Sequence, residues 1–423
     1  MKFSFSILAA SLIGFSCGYI PINDSVQLGF DVWLQKMQDK CIGNNLKYGF
    51  ILDASSISSG AYHDIDVLSR NNLVTIAGAI GPVTGIRGEF PDGPSISTGI
   101  YKDATTGVTV YDAANFNSGT QWSSVYSTMG ADVIVFDIQD VGSRFYPRLW
   151  TLYDALVGAA LSGKKIIVLD RPNPIGGLVV DGETLSPGFE SQFGKAPIAI
   201  QHGMTIGELA LLFNEEYLNK DSQLSNSANK RARLEVVKMK GWTRDMFFDQ
   251  TGLNWFTPSE YIPTPDTPLF YPGQGLFSDI NISDGRGTTI PFEVFGDSDI
   301  KDLILQDLEW AMNAVQVPGV IYRQMYFTPW DSKFLNTACA GLEIHIQDRS
   351  VYKPVSSAIA SLTVLRDQFP SKYTNIPNSV DLRYGNSNLR TMLASGASYQ
   401  SIIDSYQSNL EAFKNVRSKY LLY

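Results

Sequence analysis

Four short runs of mostly apolar residues in the first half of the chain restrict the folds that it can adopt. They lie at residues 50–52, 73–76, 133–136 and 166–169, and several of their residues are β-branched. A strand with one face in water alternates apolar and polar residues, whereas a strand covered on both faces is a continuous apolar run. The four runs therefore predict buried parallel strands joined by crossover helices, which is an α/β arrangement.

Helical periodicity follows the third and fourth of these runs. Apolar residues recur every three or four positions at 149, 152, 156 and 160, and again at 206, 209, 210 and 213. This spacing puts apolar side chains on one face of a helix, as packing against a sheet requires. The first half is therefore predicted to be a Rossmann-like, doubly wound domain.

A length of 423 residues suits two domains. Residues 219–233 are rich in Asn, Ser, Asp and Lys, which is typical of a surface connection. Beyond it, strand patterns at 319–325 and 342–346 precede helical patterns at 355–369 and 399–416. We predict a Rossmann-like domain at residues 19–218, a polar connection at 219–233, and a smaller C-terminal α/β domain at 234–423.

The N-terminus is typical of a secretory signal peptide. Lys2 precedes an apolar run at residues 3–15, which ends in the small residues 16–18. This run is shorter than the roughly 20 residues that a membrane-spanning helix needs. We therefore expect residues 1–18 to be removed and the mature protein to be secreted. Two cysteines then remain, Cys41 and Cys339, which either pair in an oxidising compartment or stay as buried thiols.

Composition argues against several partners and cofactors. The 33 Lys and Arg residues are outnumbered by 42 Asp and Glu residues, which leaves a formal net charge of -9 and no basic surface for nucleic acid or an anionic membrane. An anionic ligand would need individual arginines within motifs. No His, Cys and Asp residues have metal-ligand spacing, and the common phosphate, dinucleotide and serine-hydrolase motifs are missing after the predicted strands. We therefore predict neither a metal site nor a cofactor.

Three of the predicted strands end in an aspartate, namely Asp53, Asp137 and Asp170. Ligands of open parallel sheets bind outside the carboxyl ends of the strands. These acids therefore either face a binding crevice or cap the turns that follow. The residues after Asp137 add further candidates: Gln139, Asp140, Arg144 and Tyr146.

Three more segments contribute candidate residues. Arg171 and Asn173 follow Asp170, and prolines at 172 and 174 stiffen the backbone around Asn173. His202 precedes a predicted capping box at residues 205–208 and is either a site residue or a buried structural histidine. Arg286 lies between two glycines that allow close backbone approach, and its guanidinium suits a carboxylate; Asn281 lies in the same segment.

Five segments resemble one known family, in order and at matching spacing. They read F-D-I-Q-D-V-G-S-R-F-Y, L-D-R-P-N-P-I-G-G, H-G-M-T-I-G-E-L-A, Y-P-G and N-I-S-D-G-R-G-T-T-I-P-F-E. The family is that of the exo-β-N-acetylmuramidases (NamZ-like, also known as a DUF1343 family), and the resemblance covers nearly the whole mature chain. It implies a Rossmann-like domain plus a smaller α/β domain with the active site between them. It also implies removal of N-acetylmuramic acid from non-reducing ends of peptidoglycan fragments.

The chain departs from the family pattern where that pattern carries carboxylates. The family has Pro-Glu-His-Gly-x-x-Gly after its second strand, whereas this chain has Val83 and Thr84 in place of the glutamate and histidine, followed by Arg87. Ser278 stands where the family tends to have a second glutamate. Cleavage of a glycosidic bond needs a proton donor for the leaving oxygen and usually a second carboxylate. Another acid must then supply the proton, or the protein binds sugars without cleaving them, or it acts on another glycan.

The leading hypothesis is a secreted glycosidase of the muramidase type that removes a terminal N-acetylated amino sugar. Asp137 and Asp140 are its acid/base candidates, and His202 assists. The predicted substrate-binding residues are Arg87, Gln139, Arg144, Tyr146, Asp170, Arg171, Asn173, Asn281 and Arg286. Among these, the two arginines 144 and 286 hold the substrate carboxylate, and the side chains at 170 and 173 bind hydroxyls. The alternative is a catalytically degenerate protein that binds glycan in the same cleft. In both cases the predicted partner is a glycan or peptidoglycan fragment.

Overall fold

The computed structural model describes residues 26–39, 45–71, 73–90, 99–300 and 302–423. The predicted signal peptide and the predicted pairing of Cys41 with Cys339 involve residues outside these ranges. Cys339 itself is buried. Within the described ranges, no helix is both long and apolar enough to cross a membrane.

The first half of the chain alternates strands and helices. The strands are β1 (Lys47–Leu52), β2 (Thr75–Gly81), β3 (Ile100–Lys102), β4 (Thr109–Asp112), β5 (Val133–Asp137), β6 (Lys165–Leu169), β7 (Asp181–Thr184), β8 (Ala199–Gln201) and β9 (Arg233–Val237). The helices are α1 (Gly29–Asp39), α2 (Asp64–Asn71), α3 (Gly119–Met129), α4 (Pro147–Ser162) and α5 (Ile206–Leu212). All four predicted strand segments fall on or overlap a strand, and both helical patterns lie on helices.

A seven-stranded sheet organises this half, in the order β3-β4-β2-β1-β5-β6-β9. β1 lies between β2 and β5, and both pairings are parallel. The pairings of β2 with β4, β5 with β6 and β6 with β9 are also parallel, and β3 adds an antiparallel edge. The predicted Rossmann-like parallel sheet is therefore confirmed.

Both faces of the sheet are covered, as the continuous apolar runs predicted. Neighbouring residues of β1 point to opposite sides. Phe50 packs in a core with Trp33 of α1, while Ile51 packs in a separate core with Trp122 of α3 and Leu149 of α4. Because each face of the strand is buried, polar residues are disfavoured along its length.

The large sheet extends past the predicted domain boundary. β9 follows the polar connection predicted at residues 219–233, yet it pairs in parallel with β6, with Ile167 opposite Glu235 and Leu169 opposite Val237. The polar stretch is therefore a surface crossing that leads to the last strand of the sheet, and the first domain continues beyond residue 234. Polar composition reports exposure to water, which a loop within a domain has as much as a linker between domains.

The second half forms the predicted smaller α/β unit. Its antiparallel sheet has the order β10-β12-β11, formed by β10 (Val294–Asp297), β11 (Val320–Phe327) and β12 (Cys339–Ile346). Its helices are α6 (Thr267–Gln274), α7 (Asp302–Ala314), α8 (Pro354–Gln368), α9 (Pro370–Tyr373), α10 (Val380–Tyr384), α11 (Asn388–Ala394), α12 (Tyr399–Ser405) and α13 (Gln407–Arg417). The helical pattern at 399–416 is thus two helices, which meet at Tyr406.

The C-terminal segment returns to the first domain. The Arg417 guanidinium donates to the backbone oxygens of His202 at 3.1 Å and Gly203 at 2.6 Å. The Tyr423 hydroxyl donates to Asp170 at 2.8 Å. These contacts bind the end of the chain to the loops at the carboxyl ends of the parallel strands.

Candidate active site

The motif-rich residues at the carboxyl ends of β5 and β6 form a buried network, which we call the strand-end cluster. Its members are Asp64, Asp137, Asp140, Asp170, Arg171 and His202, and all are buried. Asp137 accepts two hydrogen bonds from Arg171, one from Nε to Oδ1 and one from Nη2 to Oδ2 at 2.9 Å. Arg171 Nη2 also lies 3.5 Å from Asp64. The Arg171 guanidinium thus interacts with two carboxyl groups, those of Asp137 and Asp64.

The ionised form of Asp64 is less stabilised by its surroundings than that of Asp137. Both of its carboxyl oxygens are buried without a hydrogen bond that meets ordinary geometry within the described residues. Burial, and next the nearby charge of Asp137, raise the pKa of Asp64 well above its usual range. The protonated form of Asp64 is therefore favoured in the folded protein, whereas Asp137 is paired with Arg171.

Asp140 and His202 form a second buried pair. Asp140 Oδ2 lies 3.3 Å from His202 Nε2 and accepts a hydrogen bond from the Gly142 backbone at 2.7 Å. The other ring nitrogen, Nδ1, accepts the Met204 backbone N–H at 3.2 Å. The structure thus brings together two candidate catalytic residues that are 62 positions apart in the sequence. Neither lines the small hollow at Gln139 or the cavities at Arg148.

The side chains of Asp170 and Asn173 form hydrogen bonds with other residues of the protein. Asp170 accepts hydrogen bonds from the Gly207 backbone at 2.7 Å, from Thr205 Oγ1 at 2.8 Å and from Tyr423. Burial raises the pKa of Asp170 to about 7. Asn173 donates to the Met204 carbonyl and accepts from the Ile175 backbone. These contacts support a structural role for both residues instead of the predicted binding of sugar hydroxyls.

Arg144 also differs from its predicted role as a carboxylate clamp. Its guanidinium is fully buried and donates to four backbone oxygens, those of Glu183 (2.7 Å), Ile198 (3.0 Å), Arg383 (2.6 Å) and Tyr384 (2.8 Å). Burial lowers the pKa of Arg144 to about 9. Since these carbonyls belong to both halves of the chain, Arg144 joins the β7–β8 hairpin to α10 and has no free donor pair for a substrate carboxylate.

Gln139 and Arg171 line a small hollow beside the strand-end cluster. Its volume of about 20 Å³ suits a water molecule and is far too small for a sugar. Gln139 also donates to the carbonyls of Asp140 and Pro172, both at 2.7 Å. The geometry of this hollow therefore gives neither residue a direct sugar contact.

A larger opening lies between the two domains, and we call it the arginine cleft. It consists of two cavities of about 230 and 240 Å³ that share Arg148 and Ser259. Together they are close to the lower end of the volumes typical of small-ligand sites. Its lining includes four arginines and two tyrosines, namely Arg87, Tyr146, Arg148, Tyr261, Arg286 and Arg383. Three of them were predicted from the sequence.

Arg286 is fixed in position by a neighbouring carboxylate. Its Nε lies 3.1 Å from each oxygen of Asp284, and its Nη2 lies 3.0 Å from Asp284 Oδ2. Although burial acts to raise the pKa of Asp284, the charges of Arg286 and Lys333 bring it below its usual value. Gly285 and Gly287 both have a φ of +79°, a backbone conformation that glycine adopts without strain. The Arg286 side chain remains 23% exposed at the cleft.

Sequence analysis missed two of the arginines. Arg148 donates to Asp53 at 2.8 Å and to the Thr84 hydroxyl at 3.3 Å, so it bridges the ends of β1 and β2. Arg383 donates to Asp279 at 2.6 Å, and its Cζ lies 3.8 Å from the centroid of the Phe193 ring. Arg148 follows the F-Y-P segment directly and could have been found there. Arg383 lies in α10, where no motif marks it.

The lining of the cleft also includes a tyrosine and an acidic residue that the sequence did not mark. Tyr261 donates its hydroxyl to Asp331 at 2.7 Å, and the Arg286 Cζ lies 5.5 Å from its ring centroid. Burial and this hydrogen bond raise the pKa of Tyr261, which keeps the phenol protonated. Glu260 is exposed and lines the same cavity as Thr84 and Arg87. Sequence analysis missed both residues because they lie in a stretch rich in Pro and Tyr without a recognisable motif.

The loop that lacks the family glutamate has a strained backbone. Val83 has a φ of +54°, and the Thr84 N–H donates to the Pro82 carbonyl at 2.7 Å, which closes a tight γ-turn. A β-branched residue rarely adopts this conformation. Nearby, Arg87 is neutralised by Asp66 and Asp103, each at 2.6 Å. Val83 does not line the arginine cleft, but Thr84 does.

Ser278, the second position at which this chain lacks a carboxylate of the family pattern, also lies at the cleft. The Ser278 hydroxyl lines it and donates to Asp284 at 2.8 Å. Lys333 lies 4.0 Å from the same carboxylate, and burial lowers the pKa of Lys333 to about 8. One acid thus faces two basic side chains, which favours an anionic ligand. Asn281, which was predicted to bind substrate, is exposed and does not line the cleft.

Family comparisons agree with this architecture. The N-terminal and C-terminal models of exo-β-N-acetylmuramidase NamZ match residues 48–266 and 269–423. The chain belongs to the NamZ family. The peptidoglycan β-N-acetylmuramidase NamZ of Bacillus subtilis (strain 168) is 36% identical over 419 residues, which are 99% of this chain and 96% of that protein. The two NamZ models meet just before α6, so β9 lies within the N-terminal model.

Two crystal structures share the NamZ fold. Both are of DUF1343 family proteins from Bacteroides fragilis NCTC 9343. One superposes with a TM-score of 0.83 at 28% identity and covers 95% of this chain and 99% of its own. The other has a TM-score of 0.72 at 26% identity, with coverage of 94% and 99%. The resemblance drawn from the five sequence motifs is therefore confirmed for the family and the fold.

Proposed function

We propose that this protein is a glycosidase of the β-N-acetylmuramidase type, exported from the cell, that removes a terminal N-acetylated amino sugar from peptidoglycan fragments. The observation that carries the proposal is the arginine cleft. Arg286 is fixed by Asp284 and exposed at a cavity about the size of a small ligand. N-acetylmuramic acid carries a lactyl carboxylate, which a guanidinium binds with two charge-assisted hydrogen bonds.

Aromatic side chains fit the same ligand. Tyr146, Tyr261, Tyr271 and Phe292 line the cavity of Arg286. The Tyr271 ring centroid lies 4.9 Å from that of Phe292 and 6.3 Å from that of Tyr146, and both contacts are edge-to-face, so the three rings pack as one cluster. An aromatic ring in this lining can cover the apolar C–H face of a sugar ring, while the arginine binds its charge.

Cleavage also requires a proton donor, and we propose Glu260 for this role. Glu260 lines the same cavity of the arginine cleft as Thr84, which occupies the position of the family histidine. A carboxylic acid at this cavity can protonate the leaving oxygen of a bound sugar. The catalytic assignment of Asp137, Asp140 and His202 stays a prediction. Their mutual contacts support an indirect role, in which they hold the loops that shape the cleft.

A chromogenic β-N-acetylmuramide tests this proposal. Glu260→Gln should lower kcat/KM at least 100-fold, since general acid catalysis typically contributes about 10² to 10⁴. Binding of N-acetylmuramic acid, measured by calorimetry, should change little. Glu411→Gln is the matched control, because Glu411 is 63% exposed and pairs only with Lys414 among the ion pairs described. Equal rates for the wild type and Glu260→Gln would exclude Glu260 and return attention to Asp137 and Asp140.

A second function has specific support: binding of the same sugar without cleavage. Val83 and Ser278 stand where the family has carboxylates, and neither can transfer a proton to a leaving oxygen at neutral pH. If the wild type binds N-acetylmuramic acid but releases no chromophore, this alternative is correct. The double change Val83→Glu with Thr84→His should then create measurable turnover, because the turn at residue 83 already accepts a non-glycine residue.

A further inference from the structure

The connection between β11 and β12 is long for two adjacent antiparallel strands. β11 ends at Phe327 and β12 begins at Cys339, and these two residues are paired in the sheet. Hairpin loops usually have about two to five residues. We call residues 328–338 the β11–β12 loop. Joining the two strands does not account for its length.

Three residues of the β11–β12 loop have backbone conformations that side chains other than glycine rarely adopt. Their φ angles are +64° at Ser332, +60° at Phe334 and +55° at Asn336. The described residues contain seven non-glycine positions with a positive φ, so this one loop has three of the seven. Such strain costs free energy and persists only where surrounding contacts hold the backbone, as they do at ligand sites. The contacts of the loop are therefore informative.

The β11–β12 loop lies directly against the backbone that carries Arg286. The Trp330 N–H donates to the Gly287 carbonyl at 2.7 Å. A Cβ atom at residue 287 would overlap the Asp331 backbone, so any residue larger than glycine would push the loop away. The second glycine of the G-R-G motif is thus required by the loop, and the position of Arg286 depends on it.

Asp331 is connected to Arg286 through Tyr261. Asp331 accepts the Tyr261 hydroxyl at 2.7 Å, and the Tyr261 ring centroid lies 5.5 Å from Arg286 Cζ. This hydrogen bond lowers the pKa of Asp331, and the charge of Arg286 acts in the same direction. A tyrosine fixed at its hydroxyl keeps its ring in one place beside the guanidinium. Tyr261 thus restricts Arg286 in addition to Asp284.

Lys333, in the same loop, fixes the segment that precedes Arg286. Its ammonium group donates to the backbone carbonyls of Phe277 at 2.7 Å and Ile280 at 2.9 Å. Ser278 lies between these two positions and donates its hydroxyl to Asp284. The β11–β12 loop therefore holds both partners of Arg286, which are the Tyr261 ring and the Asp284 carboxylate.

We propose that the β11–β12 loop determines how strongly the arginine cleft prefers a carboxylate ligand to a neutral one, and that Asp331 is its positioning residue. The inference rests on the proposed function, because it takes N-acetylmuramic acid as the ligand of Arg286. A guanidinium forms two hydrogen bonds with a carboxylate only when the two planes are aligned. Asp331 is not part of the lining of either cavity of the cleft, so it acts through Tyr261.

Calorimetry with N-acetylmuramic acid and the neutral N-acetylglucosamine tests the inference. Asp331→Ala should weaken binding of the acidic sugar roughly 5-fold, which corresponds to one net hydrogen bond, and binding of the neutral sugar less than about 2-fold. Tyr261→Phe keeps the ring but removes the hydroxyl, so it should give the same loss. The two changes together should weaken binding no further, because each removes the same hydrogen bond.

Two further variants complete the design. Asp331→Asn keeps an oxygen that accepts the Tyr261 hydroxyl, so it should bind within about 2-fold of the wild type. Asp367→Ala, at a side chain that is 66% exposed, is the surface control and should change nothing. If Asp331→Ala does not fold, Tyr261→Phe makes the same test.

Three outcomes would overturn the inference and leave the proposed function standing. They are unchanged binding in Asp331→Ala and Tyr261→Phe, equal losses for the two sugars, and additive losses in the double variant. Failure of the wild type to bind N-acetylmuramic acid would overturn the proposed function and the inference together.

Discussion

The strand-end cluster and the arginine cleft use charged residues in opposite ways. In the strand-end cluster, Asp137 is paired with Arg171, and Asp140 lies beside His202. In the arginine cleft, Arg286 is supported from behind by Asp284 and keeps part of its surface exposed. The first region has the denser set of polar motif residues, but the second has the space for a sugar. A dense polar motif therefore identifies residues that the fold requires as readily as residues that bind substrate.

The difference follows from the cost of burying charge. A buried charged group is usually paired or hydrogen-bonded, as Asp137 and Asp170 are, which leaves few of its acceptors for a ligand. A partly exposed guanidinium with one fixed partner keeps donors available. Variants in the strand-end cluster and around Arg144 should consequently change stability, whereas variants in the arginine cleft should change binding.

Arg144→Met should have the largest effect. The substitution leaves four buried carbonyls without their donor, and hydrogen bonds to charged groups contribute about 1.5–3 kcal/mol each, so we expect a loss of at least about 4 kcal/mol in the free energy of unfolding. Urea unfolding and soluble yield measure it. Arg231→Met, at a guanidinium that is 49% exposed, is the control and should unfold like the wild type. Unchanged stability together with lost sugar binding would restore Arg144 as a carboxylate clamp.

Arg286→Lys should act on binding. Lysine keeps the charge but loses the planar pair of donors, so binding of N-acetylmuramic acid should weaken by about 1–3 kcal/mol, while N-acetylglucosamine loses less. Calorimetry with the two sugars makes the comparison, and a thermal unfolding curve checks that the fold persists. Arg323→Lys, on an exposed strand, serves as the control. Equal losses for both sugars would argue against a carboxylate contact.

Asp64→Asn should stabilise the strand-end cluster in a pH-dependent manner. Because the pKa of Asp64 is raised in the folded state, the native protein binds more protons than the unfolded chain above pH 4 or so, and this group's contribution to stability falls as pH rises towards the folded pKa. Asparagine cannot ionise. We expect the variant to be more stable than the wild type at pH 8, and we expect this gain to disappear near pH 4. Urea unfolding at both pH values checks this. An equal gain at both would mean that Asp64 does not titrate differently on folding.

Val83→Asn should have the smallest effect and should also be stabilising. Asparagine tolerates a positive φ better than a β-branched residue, and strain of this kind costs about 1–3 kcal/mol, of which about 1 kcal/mol should be recovered. The midpoint of thermal unfolding measures the gain. Val351→Asn, at an exposed turn position without a positive φ, should bring no gain. A loss of stability would show that the apolar contacts of Val83 outweigh its backbone strain.

Much of the fold could be predicted from the sequence because its signals are local. The continuous apolar runs predicted β1, β5 and β6, and the residues at 205–208 form the predicted capping box at the start of α5. The boundary at residue 234 was misjudged because a polar stretch looks alike within and between domains. Whether β9 belongs to the first sheet depends on its pairing with β6, and that contact spans more than 60 residues.

The candidate site could be predicted only in part. Arg87, Tyr146 and Arg286 line the cleft as expected. Arg148, Tyr261 and Arg383 were missed, and the last of these lies more than 200 residues from Tyr146, which lines the same cavity. No local pattern marks a residue whose role depends on meeting another part of the chain.

The sequence by itself determined the strands and helices, the family, and the identity of two positions where carboxylates are missing. These depend on residue order and on patterns a few positions long. Only the tertiary structure decided which charged residues form hydrogen bonds and ion pairs within the protein and which face a cavity. That outcome depends on burial and on long-range partners. Arg144 and Arg286 are both arginines within motif segments, yet Arg144 donates to four carbonyls whereas Arg286 is paired with a single aspartate. An arginine's capacity to bind a ligand is set by the donors that folding leaves unused.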